Sequence, residues 1–202
     1  MNNYIMFKGQ KIELTEEQIA QLNQVIETAD IKLADIPAGE TFKIGEDEFI
    51  VLDQMEDRTY VILKSLLKES EEFGDCNNYN DSNVDHICTD FATKISGIIG
   101  NDNLLMHTVD LTSDDGLKCY GTVERQMSLI TTEMYRRYVE ILDMHKLNKW
   151  WWIATPYSTP KHEDDEWVKC VSPSGFIDND DYNYDYGVRP FCILKSDIFV
   201  SR

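Results

Sequence analysis

A chain of 202 residues, 42% hydrophobic and 11% aromatic, is long enough to fill one sizeable core. Its 37 acidic against 19 basic residues give a formal net charge of −18, which repels phosphate backbones and argues against direct nucleic-acid or anionic-membrane binding. Five cysteines, odd in number, scattered and never in a CxxC pair, indicate neither a disulfide framework nor a zinc knuckle, and neither metal nor other cofactor is expected.

The N-terminal "MNNYIMFKGQKIEL" lacks a basic region followed by a long apolar run, and no window of about 18 apolar residues occurs, so neither a standard signal peptide nor membrane insertion is expected. In "TEEQIAQLNQVIETAD", Thr15 with Gln18 three residues on makes a capping box, and Ile19, Leu22, Val25 and Ile26 recur at helical spacing. This predicts a short helix over 16–29 and sets residues 1–35 apart as a small strand-and-helix extension.

From Pro37 the period changes. Phe42, Ile44, Phe49, Val51, Tyr60 and Ile62 alternate, with turns at Gly45-Glu46-Asp47 and Glu56-Asp57-Arg58, which predicts a three-stranded antiparallel meander. The acidic "KESEEFGDCNNYNDS" reads as a polar surface loop. Val84, Ile87, Cys88, Phe91 and Ile95 then line one face of a helix that Asp81 or Ser82 can cap. His86 and Cys88, two apart, face different ways on that helix and make poor metal ligands. Asp114-Asp115-Gly116 has the look of a calcium loop but lacks the spaced oxygen ligands and the closing glutamate.

Thr131 caps a further helix carrying Met134, Tyr138, Ile141 and Leu142, with Arg136, Arg137, His145 and Lys146 on its basic side. In "KWWWIATP" the period of two places Trp150 and Trp152 on one face and Trp151 on the other, so this strand is buried on both faces and central to a sheet. "EWVKCVSP" alternates as a strand, and the closing "FCIL" is a buried one by composition. Between them, residues 178 to 186 use only aspartate, asparagine and tyrosine.

"GETFKIGEDEFIVLDQ", "DLTSDDGLKCYGTVERQMSLITTEMYRRYVEIL", "WWWIATPYS", "CVSPSGFI" and "YGVRPFCIL" together resemble an uncharacterised domain family of gut bacteria and their phages, the domain of unknown function 6273 type. That family carries a "WWLRSP"-like strand and a terminal "GVRPAL"-like strand. The resemblance covers residues 36–202 and departs from the pattern at Ile153-Ala154-Thr155 and Phe191-Cys192. It implies an α+β, C-type-lectin-like domain of short antiparallel strands with two or more flanking helices. It also implies kinship with formylglycine-generating enzymes and with the variable proteins of diversity-generating retroelements, in which asparagine codons rewritten at adenines yield Asn, Asp and Tyr.

On that reading the C-terminal loops form a hypervariable face for a protein or glycan ligand. The candidate ligand-binding residues are Tyr157, His162, Asp164, Trp167, Asn179, Asp181, Tyr182, Asn183, Tyr184, Asp185 and Tyr186, with no catalytic residue. Tyrosine supplies contact area at low rotamer cost, and Asp and Asn supply adaptable polar contacts. Arg189, between apolar neighbours, is expected to pair with a carboxylate or with backbone carbonyls. The location implied is cytoplasmic or virion-associated. Two other classes stay open: an acidic phage inhibitor that mimics nucleic acid, and an oxidase related to formylglycine-generating enzymes that uses Cys170 and Cys192 as neighbours.

Overall fold

The computed structural model describes residues 4–7, 10–19 and 30–202. Two sheets organise it. A six-stranded sheet runs Met127–Ser128, Phe191–Lys195, Arg58–Leu63, Asp47–Gln54, Thr41–Ile44, with Leu104–Leu105 also pairing to Phe191–Lys195. A five-stranded sheet runs Ile177–Asp181, Trp167–Val171, Trp151–Pro156, Asp185–Val188, Lys68–Glu72. Within the second sheet Trp151–Pro156 and Asp185–Val188 are parallel and the other pairs antiparallel.

The expected meander forms as Thr41–Ile44, Asp47–Gln54 and Arg58–Leu63. Its alternation feeds two hydrophobic clusters. Phe42, Phe49, Val51 and Val61 join one with the helix residues Phe91 and Ile95, while Ile50, Leu52 and Ile62 join the other with Tyr135, Tyr138 and Leu142. The tryptophan strand divides the same way: Trp152 enters the first cluster with Trp150 packed against it, and Trp151 and Ile153 enter the second. It is the central strand of its sheet, as the period of two requires.

The helix Asn83–Ile99 begins at Ser82, whose side chain accepts from the Asp85 N–H, and it presents Val84, Cys88, Phe91 and Ile95 to the first cluster. At the N-terminus the capping box is present: the Thr15 N–H donates to Gln18 Oε1 at 3.0 Å and the Gln18 N–H to Thr15 Oγ1 at 3.2 Å. Residues 16–19 are helical, and the remainder of the expected 16–29 helix lies outside the described residues. Ile31–Lys32 pairs with Phe199–Val200, and Leu33 and Ile36 are fully buried, so the chain is part of the main core from residue 31 onward.

The α+β, C-type-lectin-like expectation is overturned. The fold is largely β and sandwich-like, with 37% of the chain in strands. Two elements differ from the sequence pattern. The segment after Thr131 is two helices of six residues, Thr132–Arg137 and Val139–Met144, broken at Tyr138, whose ring joins the second cluster and whose hydroxyl lies 3.3 Å from Asp53 Oδ2. And Lys68–Glu72, which reads as loop because it is all polar, is an edge strand, where charge on the outer side keeps the sheet from pairing further.

The "YGVRP" segment owes its composition to packing. A Cβ on Gly187 would lie 2.4 Å from Leu66 Cδ1, so any larger residue here would have to push the Leu66 side chain aside. Arg189, 1% exposed, donates from Nε to the Leu63 carbonyl at 2.8 Å and from Nη2 to the Lys64 carbonyl at 3.3 Å, with its guanidinium 5.3 Å above the Trp151 ring. Among the described residues no helix is long and apolar enough to cross a membrane.

Candidate functional site

Antiparallel register decides which candidate residues share a face. Trp167 lies opposite Asp181 and Lys169 opposite Asn179. On the other side the Tyr157 N–H donates to the Trp167 carbonyl at 2.9 Å, one residue beyond the Pro156/Val168 pair. Tyr157, Trp167 and Asp181 therefore form one cross-strand row, and Lys169 and Asn179 pair two residues further on. Tyr157 is 42% and Trp167 39% exposed, both large for aromatic side chains on a strand.

Beneath the aromatic row sits Lys169, only 7% exposed. Its ammonium is 5.5 Å from the centre of the Tyr157 ring and 3.4 Å from Asp114 Oδ2. A lysine this buried needs a counter-ion, and Asp114 also lies 3.8 Å from the Arg136 guanidinium. The backbone holds Asp114 in place, its N–H donating to the Pro156 carbonyl at 2.9 Å. Asp114 and Arg136 border a cleft of about 340 Å³ between the loop at 110–118, the start of the Thr132–Arg137 helix and Thr155. Thr112 hydrogen bonds hold the Asp110 carboxyl on the cleft wall below the usual carboxylate range.

The other candidates are placed differently. His162 Nδ1 lies 2.8 Å from Asp115 Oδ2, and the Ser158 hydroxyl donates to the same oxygen at 2.7 Å. Hydrogen bonds from Ser113, Ser158 and His162 push the Asp115 carboxyl well below its ordinary range. This ties the 157–167 loop to the 113–117 turn. The turn is built on side-chain hydroxyls, and no group of His, Cys, Asp or Glu among the described residues has the arrangement of a metal site. Asp164 Oδ1 accepts from the Glu166 and Trp167 N–H groups, a turn-forming role.

Tyr182, Asn183 and Tyr184 turn the chain from Ile177–Asp181 into the strand Asp185–Val188, where Asp185 lies opposite Glu72. Asp181 Oδ1 accepts from the Asn183 N–H, and Tyr184 is 54% exposed. Tyr186 turns the other way. It stacks 5.5 Å from Trp150, lies 4.7 Å from Trp152, and donates its hydroxyl to Asp180 Oδ2, so burial and that carboxylate raise its pKa. Of the eleven candidates, the structure gathers Tyr157, Trp167, Asn179 and Asp181 on one face, sets His162 and Asp164 in the adjoining loop, places Tyr182, Asn183 and Tyr184 in the turn directly after Asp181 and Asp185 at the start of the next strand, and packs Tyr186 inward.

Sequence reasoning missed Lys169, Asp114, Thr155 and Arg136. It also missed Asn77, fully buried, whose amide donates to the Ser158 carbonyl at 3.2 Å and the Trp167 carbonyl at 3.1 Å while its Oδ1 accepts from Tyr120 at 2.7 Å. Only Lys169 left a signal, a lone cation in an otherwise apolar inward pattern. Cys170 and Cys192, expected on neighbouring strands, lie in different sheets, and all five cysteines are free. Burial pushes the Cys170 thiol up to about 12 and raises that of Cys192 as well, the opposite of what a reactive thiolate needs. No family model, curated protein or solved structure matches the chain.

Proposed function

We propose that the protein is a ligand-binding module, without catalysis, that holds a protein or glycan through the Tyr157–Trp167–Asp181 row and the cleft beside it. The observation that carries this reading is the cross-strand pair of exposed aromatics set over a buried, ion-paired lysine. Large apolar rings left in water lower solubility and recur where they serve contact. Beside them a desolvated cation with a fixed carboxylate gives orientation, as polar groups do in small-ligand sites.

The test is a parallel screen of wild-type protein and a Tyr157→Ala/Trp167→Ala variant against a glycan array and a peptide library. Both positions are at the surface, so the variant should melt within a few degrees of wild type while losing the wild-type hits. Hits that survive in the folded variant would rule out this face.

A second reading has its own observation. Glu163 to Glu166 and Asp178 to Asp185 crowd acidic groups around the same sheet end, which suits a basic channel on a partner. Salt separates the two: binding of an acidic mimic collapses between low and high ionic strength, whereas contact centred on Tyr157 and Trp167 changes little.

A further inference from the structure

We infer that Asp178 and Asp180 keep a second copy of this chain from pairing with the open edge of the smaller sheet, by capping the backbone amides that such a copy would use. The inference is independent of the proposed binding face.

The direction of the backbone groups follows from the register. Ile177–Asp181 pairs with Trp167–Val171 on one side and, among the described residues, with no strand on the other. At the two ends of this pair the Ser172 N–H donates to the Phe176 carbonyl at 3.0 Å and the Tyr182 N–H to the Glu166 carbonyl at 2.9 Å. Opposed residues of an antiparallel pair alternate between bonded and unbonded. Asp178 and Asp180, opposite Cys170 and Val168, therefore turn their backbone groups inward, and Asn179 and Asp181 turn theirs to the open edge.

Those outward groups are already engaged. The Asn179 N–H donates to Asp178 Oδ1 and the Asp181 N–H to Asp180 Oδ1, both at 3.0 Å. The Asp181 carbonyl accepts from the Tyr184 N–H at 3.0 Å. Each cap runs from one side chain to the amide of the next residue, a reach that requires a short side chain with an acceptor at its tip. Aspartate and asparagine have one, whereas the common strand residues valine and isoleucine do not. The Tyr186 hydroxyl donates to Asp180 Oδ2 and so holds the second capping carboxylate in place. Aspartate at alternate positions is thus what this edge needs.

An edge with free amides is a template for a further strand, and the strand present at the highest local concentration is that of another copy. A copy laid antiparallel about Asn179 would have to exchange the two Asn179 N–H groups for the two Asn179 carbonyls across the axis. The cap on Asn179 withholds that donor. Repulsion between acidic copies would weaken in salt, but the caps would not.

The experiment measures the mass of the full chain by light scattering over a range of protein concentrations in high salt. It compares wild type with Asp178→Ala/Asp180→Ala, which removes caps and charge, and with Asp178→Asn/Asp180→Asn, which removes the charge and keeps the Oδ1 acceptors. The alanine variant should reach at least twice the wild-type mass as concentration rises, and the asparagine variant should track wild type. Hydrogen exchange locates the contact: the Asn179 and Asp181 amides of the dilute alanine variant should exchange about tenfold faster than in wild type and become protected as it associates. Asp178→Ala alone gives the same reading at Asn179 if the double variant unfolds, because Asp178 makes no other hydrogen bond among the described residues. Wild-type mass in a folded alanine variant, or association of the asparagine variant to the same degree, would overturn the inference. So would association that leaves the Asn179 amide unprotected.

Discussion

A guanidinium buried as deeply as Arg189 survives only because its acceptors are fixed: the Leu63 and Lys64 carbonyls and the Trp151 ring form a rigid fork-shaped seat. Burial lowers its pKa to about 10, which leaves it charged at neutral pH. A lysine ammonium cannot span both carbonyls, so Arg189→Lys should lose about 3 kcal/mol in urea unfolding. A loss below about 1 kcal/mol would show the seat to be adaptable. His107 makes a different prediction. Its Nε2 lies 2.9 Å from Ser128 Oγ, its ring packs edge-on against Phe191, and burial lowers its pKa from an ordinary 6.5 to about 4. Between those two values the unfolded chain binds a proton that the native state refuses, so stability falls as pH drops from about 6.5 to 4. The loss from this group is about 3 kcal/mol. Urea midpoints of wild type and His107→Gln across that range check it: the variant should lose less stability by that amount, and parallel curves would contradict the assignment.

Elements show where sequence was informative. The period of two in "WWWIATP" and the meander translated directly into buried strands, and the capping residues Ser82 and Thr131 start their helices as expected. Such signals are local, set by the pleat and by free amides at a helix end. What the pattern could not carry was pairing at long range. Lys68–Glu72 is a strand because Asp185–Val188 offers it an edge, and the ion pair of Lys169 with Asp114 crosses 55 positions that no periodicity links. Asn77 belongs to the same class. It holds the 157–167 loop by the Ser158 and Trp167 carbonyls, with its own N–H on the Asp165 carbonyl, so the loop's shape depends on a residue that composition marks as ordinary. Asn77→Ala leaves two carbonyls and the Tyr120 hydroxyl unpaired and should cost about 1–3 kcal/mol. Hydrogen exchange at Tyr157 and Trp167 should quicken while the Asp47–Gln54 strand stays protected. Unchanged exchange in the loop would mean that Asp115 alone fixes it.

At the scale of the molecule, two sheets and their flanking helices place one strand, Trp151–Pro156, at the centre of the smaller sheet and carry the candidate face at its C-terminal end. The resemblance to a lectin-like family implied an α+β scaffold, whereas the fold is largely β. The aspartate, asparagine and tyrosine run is likewise divided by the fold: Asp181 and Asn179 serve the face, Tyr184 the exposed turn, and Tyr186 the core. The proposed function requires that this face, and no other, receives the ligand. The four tryptophans give four indole resonances in a ¹H–¹⁵N spectrum, one of them from the exposed Trp167. On titration with a glycan or peptide hit, the Trp167 resonance should shift with ligand concentration while those of the buried Trp151 and Trp152 hold still. A bound ligand that leaves Trp167 unmoved would contradict it.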